Sequence, residues 1–205
     1  MFISFEGIEG CGKSTQANLL CERLLSDGYE VIITREPGGT TISERIREIL
    51  LDPSCEEMTA ETELLLFLAA RHQHTQEFIK QKLLSDKLII CDRYLDSSIA
   101  YQGAARRLNL DFIRQLNEFA TGGLLPDLTV VIDIPEDVAF ERLQGKKKDR
   151  MEKENKEFYR RVRECFIALT GSNDRFILLD GDCEIKELSD LIYKRVMRKI
   201  IEINS

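Results

Sequence analysis

The segment Gly7-Ile8-Glu9-Gly10-Cys11-Gly12-Lys13-Ser14 fits the pattern G-x-x-x-x-G-K-[ST], and it constrains the chain more than any other stretch. Composition alone would produce it in roughly four chains of this kind in a thousand. It follows an apolar run, Phe2 to Phe5, that reads as a strand, and it opens a helical pattern over Lys13 to Leu25. A strand, a glycine-rich turn and a helix in succession make a phosphate cradle. The glycines let the backbone bend so that successive N–H groups converge on phosphate oxygens. The helix adds its positive N-terminal end. Lys13 is expected to reach the β- and γ-phosphates, and Ser14 to offer a hydroxyl to Mg²⁺, with Thr15 beside it in the first turn. The motif therefore implies a Mg-nucleoside triphosphate site. Glu9 is an anion in a loop that embraces anions, so it is expected to point toward a second substrate. Gly10 and Cys11 bring no cation to the loop.

The rest of the chain alternates in the manner the motif demands. Further short apolar runs at Glu30–Thr34, Leu88–Cys91, Leu128–Ile134 and Phe176–Leu179 read as strands covered on both faces. Helical patterns occupy Thr41–Leu50, Ala60–Leu84, Asp96–Arg107, Leu110–Thr121, Glu136–Gln144, Glu152–Leu169 and Ile185–Ile201. This predicts an α/β fold, a parallel sheet of about five strands with right-handed crossovers and helices on both faces. No repeat, linker or low-complexity tract divides residues 1–205, so one domain is expected.

Composition excludes several classes. With 205 residues, 43% hydrophobic and 32% charged, the chain can build a core and is not disordered. A net charge of −7 argues against a general nucleic-acid binder. The longest apolar run, Leu64 to Ala70, is far short of a membrane span. The opening residues have no basic region and do not resemble a signal peptide. Cysteines 11, 21, 55, 91, 165 and 183 show neither a C-x-x-C pair nor a Cys/His knuckle, which suits a reducing, cytoplasmic compartment. One island departs from the acidic balance. Glu141 to Glu164 carries ten Lys/Arg against six Asp/Glu. A lysine triplet such as Lys146-Lys147-Lys148 is ordinarily a solvated face; beside a phosphate loop without its own cation, the island from Lys146 to Arg150 is a candidate source of one.

Two further segments end strands at the carboxyl edge, where open α/β sheets bind ligands. Thr34-Arg35-Glu36-Pro37-Gly38-Gly39-Thr40 follows the second strand, and Cys91-Asp92-Arg93-Tyr94 the third. Asp92 suits a magnesium shell. Arg35 and Arg93 suit paired hydrogen bonds to a phosphate. His72 and His74 read as ordinary helix histidines, since no further metal ligands accompany them.

Taken in order, FEGIEGCGKSTQ, TREPGGT, LLFLAARHQH, CDRYLDSSIAYQG, GLLPDLTVVIDIP and DRMEKENKEFYRRVRECF resemble the thymidylate kinase family from about Phe2 to Leu179. The resemblance implies the nucleoside-monophosphate-kinase variety of the fold and phosphoryl transfer from ATP to dTMP, with Mg²⁺ as cofactor. It implies that Glu9 contacts the sugar 3′-hydroxyl, Phe67 stacks on thymine and Arg71 bonds its O4 edge. Arg93 would hold the dTMP phosphate with Arg35 nearby, and Pro37 and Ser98 would line the same pocket. Tyr101 would crowd the 2′ position, and Gln102 would lie close to the base. Arg142 would face adenine. The resemblance also implies a mobile lid at about 144–153, of the bacterial subtype with lid-borne cations, of which Arg150 is the only arginine between Gly145 and Met151. It suggests a homodimer through the helices from Ala60 and Asp96. A kinase for another nucleoside monophosphate is the runner-up, since one sheet and loop serve many acceptors. A nucleotide-dependent switch is disfavoured, because no Asp is followed by Gly three residues on.

Overall fold

A computed structural model describes residues 1–145 and 148–204, with the side chain of Asn204 outside that description. The described residues form one parallel sheet of five strands in the order β2-β3-β1-β4-β5. The strands are β1 (Phe2–Glu6), β2 (Val31–Arg35), β3 (Leu88–Asp92), β4 (Leu128–Asp133) and β5 (Phe176–Asp180). β1 is central, paired with β3 on one side and β4 on the other, and each of its residues is buried. The edge strand β2 is only half buried. The two strands have the same count of polar residues, so in FISFE the buried Ser4 and Glu6 need internal partners, whereas Thr34 and Arg35 of VIITR lie at a more open edge. Alternate residues serve different cores. Phe2, Ile89 and Cys91 join a cluster with Leu64, Leu68 and Ile113. Ile3, Phe5, Leu88 and Ile90 join another with Leu20, Leu24, Ile192 and Val196.

The helices are α1 (Lys13–Ser26), α2 (Thr41–Leu51), α3 (Ala60–His74), α4 (Lys80–Leu83), α5 (Leu95–Ser98), α6 (Leu110–Thr121), α7 (Glu136–Arg142), α8 (Lys156–Thr170) and α9 (Ile185–Asn204). Thr40, Thr59, Asn109 and Asn155 cap α2, α3, α6 and α8 through side-chain oxygens. The boundaries correct the sequence reading in three places. The helix expected over Ala60–Leu84 passes through a π-helical stretch at Thr75–Ile79. The one expected over Asp96–Arg107 becomes π-helical at Ile99–Ala105, where the Arg106 N–H bonds the Tyr101 carbonyl at 2.9 Å. Each wider turn shifts the following side chains by a residue, which hydrophobic spacing does not reveal. The helix expected from Glu152 begins at Lys156 instead. Before it, Asp149 and Glu152 bond each other's backbone N–H groups at 2.8 and 3.1 Å, and Asn155 starts the helix.

Candidate active site

The carboxyl ends of β1, β2 and β3 open on a cleft of about 710 Å³. Gly10 to Gln16 line one end, and Phe67, Ser98, Tyr101 and Gln102 line the other, with Asp92 and Arg93 between. At the first end the loop is held by its own backbone. A Cβ on Gly7 would fall 2.5 Å from the Ile132 carbonyl oxygen and 2.8 Å from Cys11 Sγ, so only glycine lets the loop leave β1 against β4. Gly12 turns into α1 with φ of 100°, a left-handed conformation that suits glycine. No side chain caps α1, so its first-turn N–H groups remain as donors at the cleft wall. Gly7 and Ile8 lie behind the loop, and their carbonyls accept from Lys13 Nζ at 3.1 and 2.8 Å. The Ser14 hydroxyl donates to Asp92 Oδ2. A hydroxyl beside a carboxylate at the cleft floor is a hard-oxygen donor pair of the kind Mg²⁺ takes together with water and phosphate oxygens. Among the described residues no cluster of three or more His, Cys, Asp or Glu is arranged for a metal, so any ion here relies on such a shared shell.

Between the two ends, Glu9 turns away from the loop as its sequence position suggested. Its Oε1 accepts from Arg93 Nη2 at 2.7 Å and its Oε2 from the Tyr101 hydroxyl at 2.6 Å. Burial is the main factor that raises the Tyr101 phenol well above its ordinary value, and it stays a donor. Arg93 has φ of 71° and donates to the Gly7 carbonyl at 3.0 Å. Burial alone would lower its pKa, but the negative field of the neighbouring Glu9 and Asp92 carboxylates holds it well above the usual value. Arg93 therefore stays charged at the meeting point of the two ends. Behind it, the buried Glu6 carboxyl group accepts from the Tyr94 N–H at 2.8 Å and the Ser97 hydroxyl at 2.6 Å. Burial, with Asp96 nearby, pushes Glu6 up to about 8.

At the second end the wall is made of side chains tied by buried ion pairs. On α3, Glu63, Phe67 and Arg71 recur every four residues and share a face. Phe67 lines the cleft. Arg71 does not; it is 1% exposed and lies beneath. Its Nε donates to Glu36 at 2.8 Å, its Nη1 to Ser98 and Asn117 at 2.7 Å, and its Nη2 to the Tyr94 carbonyl at 3.0 Å. Four of its five N–H donors are thus engaged internally, which leaves one on Nη2. Glu36 also meets His74 Nδ1 at 3.1 Å, and His74 Nε2 meets the Thr34 hydroxyl at 2.8 Å. Arg35 is half exposed and paired to both oxygens of Glu44 at 2.9 Å. Pro37 lines the cleft, and its carbonyl accepts from Arg47 at 2.8 Å.

The two arginines expected on this side, Arg142 and Arg150, divide. Arg142 lies at the cleft, within 3.4 Å of the Gly10 carbonyl and 3.1 Å of the Gly181 carbonyl. Arg150 does not come to the phosphate loop. It is buried, pairs with Glu63 at 2.7 Å and donates to the Leu50 carbonyl at 2.8 Å. A cation already paired in a buried cluster is not free to meet a transferring group, and in this arrangement Arg150 ties its segment to α2 and α3. Lys146 and Lys147 lie outside the described residues. Glu6, Glu36, Arg47, Glu63 and Arg106 escaped the sequence reading. For Glu63 the one available signal was its four-residue spacing to Phe67 and Arg71.

Three comparisons place this geometry. A sequence profile described as thymidylate kinase matches residues 5–192. The thymidylate kinase of Fervidobacterium nodosum is 47% identical over 95% of this chain and 97% of its own length. That of Geotalea uraniireducens is 44% identical over 98% of each. The crystal structure of thymidylate kinase from Ehrlichia chaffeensis superposes with a TM-score of 0.78 at 35% identity, covering 96% of this chain and 98% of that one. The five-stranded sheet with its phosphate loop is thus the nucleoside-monophosphate-kinase-like α/β fold, and the chain belongs to the thymidylate kinase family.

Proposed function

We propose that the chain transfers the γ-phosphoryl group of ATP to dTMP, giving ADP and dTDP, by direct in-line displacement. The observation that carries this reading is one cleft with a phosphate loop at one end, an aromatic and amide wall at the other, and a charged arginine between them. The attacking atom is an anionic phosphate oxygen, so no strong general base is needed. The protein's work is positioning and neutralisation of charge. Gly10 to Thr15 and Lys13 hold the triphosphate, and Arg142 flanks the adenine. Arg93 holds the acceptor phosphate, with Arg35 and Arg47 at the rim. Phe67 stacks on thymine, with Pro37, Ser98 and Gln102 around it, and Arg71, beneath that wall, is assigned the O4 edge through its one unengaged N–H. Glu9 meets the 3′-hydroxyl, and Tyr101 fills the place of a 2′-hydroxyl. Ser14 and Asp92 would hold Mg²⁺, which would supply positive charge against the phosphates.

Residues 1–205 act as one catalytic unit, and the segment at about 144–153 closes as a lid that excludes water. The lid's transferring cation comes from its lysines, with Arg150 as anchor. The working form is a homodimer through α3, with the exposed Leu65, and the adjoining α6, with the exposed Phe119; the helix from Asp96, expected in this contact, is buried within the chain instead. Six unpaired thiols suit the cytoplasm. Neither nucleic acid nor membrane is a partner in this reading; no helix of the described residues is long and apolar enough to span one. Arg93→Ala tests the reading: turnover of dTMP should fall about 10²–10³-fold with the far-UV circular dichroism unchanged. Near-wild-type turnover would remove Arg93 from its role.

A further inference from the structure

We propose that Glu63 is a specificity-determining positioning residue, whose buried carboxylate fixes the Gln102 amide so that the cleft selects bases carrying an N3–H. The inference rests on the dTMP reading above and adds a residue that touches no substrate. Glu63 is 1% exposed and is ringed by donors. Its Oε1 accepts from Gln102 Nε2 at 2.9 Å and from Arg106 Nε at 3.1 Å. Its Oε2 accepts from Arg106 Nη2 at 3.0 Å and from Arg150 Nη1 at 2.7 Å.

An amide has one donor side and one acceptor side, and its neighbour decides which way round it lies. Burial would raise the Glu63 pKa, but the Arg106, Gln102 and Arg150 donors outweigh it and hold the group below its usual value. Glu63 is therefore a carboxylate at neutral pH and accepts only. The Gln102 NH₂ must face it, because the opposite orientation would press a carbonyl oxygen against an anion. Gln102 lines the cleft. With its NH₂ turned to Glu63, Oε1 is the one acceptor the amide has to present, and no hydrogen bond among the described residues engages that atom. A carbonyl oxygen at this wall accepts from the N3–H of thymine or uracil. It opposes cytosine, whose N3 is itself an acceptor. The same carboxylate holds Arg150, so the anchor of the lid segment and the base reader share one partner.

Glu63→Gln provides the test, because it inverts the logic. Two guanidinium donors converge on the Oε2 position at 3.0 and 2.7 Å against the single longer one, Arg106 Nε, on Oε1, so the new carbonyl belongs at Oε2 and the new NH₂ faces Gln102, with Arg106 Nε giving up its acceptor. The Gln102 amide then turns over and presents a donor to the base. The measurement is the ratio of kcat/KM for dTMP to that for dCMP, with thermal melting as the check on folding. The expected ratio in E63Q falls about ten- to hundredfold. E63D, which keeps the carboxylate, retains the wild-type preference within a few-fold. Q102L loses the preference by itself, and E63Q added to Q102L changes the ratio no further, as required if Glu63 acts through Gln102. An unchanged ratio in E63Q, an equal loss in E63D, or a further loss in the double variant would overturn the proposal. Should E63Q fail to fold, an unchanged ratio in Q102L overturns it as well. A wild type that prefers dCMP defeats the dTMP reading; a wild type that prefers dTMP beside an unchanged E63Q defeats only the role of Glu63.

Discussion

The two ends of the cleft are built by different means. The phosphate end is a contiguous run of backbone, Gly7 to Gln16, whose shape follows from glycines, a helix start and one lysine folded over two carbonyls. The base end is a set of side chains from α3, the π-helical stretch after α5 and the loop after β2. Two buried carboxylates, Glu36 and Glu63, hold it across long stretches of sequence. Backbone geometry is local and tolerates changes around it. A buried ion pair depends on every member, since removing one strands a charge in a low-dielectric interior. The base end is therefore where single substitutions should damage structure, and the side chains of the phosphate end, its glycines apart, are where they should damage chemistry alone.

The sharpest contrast comes from one substitution at each end. Arg71→Leu strands Glu36 and should cost about 3–5 kcal/mol of folding stability, read by denaturant unfolding. Lys13→Ala should lower kcat about 10²–10³-fold with little change in stability, read by steady-state kinetics. The reverse pattern, a stable R71L and an unfolded K13A, would break the comparison. A smaller effect probes the apolar part of the base wall: one methyl group separates thymine from uracil, so dUMP should be turned over about 10- to 200-fold less efficiently than dTMP. A complete absence of dUMP turnover at saturation would require a polar discriminator that this wall lacks.

The mildest effect concerns the third buried carboxylate, Glu6, behind Arg93. Its pKa rises from an ordinary 4.5 to about 8 on folding, so between those values the folded chain holds a proton that the unfolded chain has lost. Its contribution to stability is complete below the lower value and declines as pH rises through the upper one. Glu6→Gln mimics the protonated acid and should flatten that decline when unfolding is measured at pH 5, 6.5 and 8. Glu63 behaves oppositely: its folded pKa is lowered, so its contribution is present above the ordinary carboxylate value and lost on acidification.

The same division governed what the sequence revealed. The strands, the phosphate loop and Lys13, Ser14, Asp92 and Arg93 are legible, because a short-range spacing or a position at a strand end specifies each one. Glu9 was legible by charge alone, as an anion that a phosphate-binding loop must turn aside. The π-helical turns were not, because a single inserted residue leaves the apolar spacing nearly intact. Nor was the internal engagement of Arg71 and Arg150. An arginine near a binding site reads as free until its partner is placed, and those partners, Glu36 and Glu63, lie 35 and 87 residues away in sequence.

The central claim is that the two ends serve one transfer from ATP to dTMP. It is tested most directly by ADP formation from Mg-ATP with dTMP, dUMP, dCMP, CMP, AMP and GMP offered separately. The account predicts the highest kcat/KM for dTMP, with dUMP next. A preference for another monophosphate, or nucleotide binding without turnover of any acceptor, would contradict it.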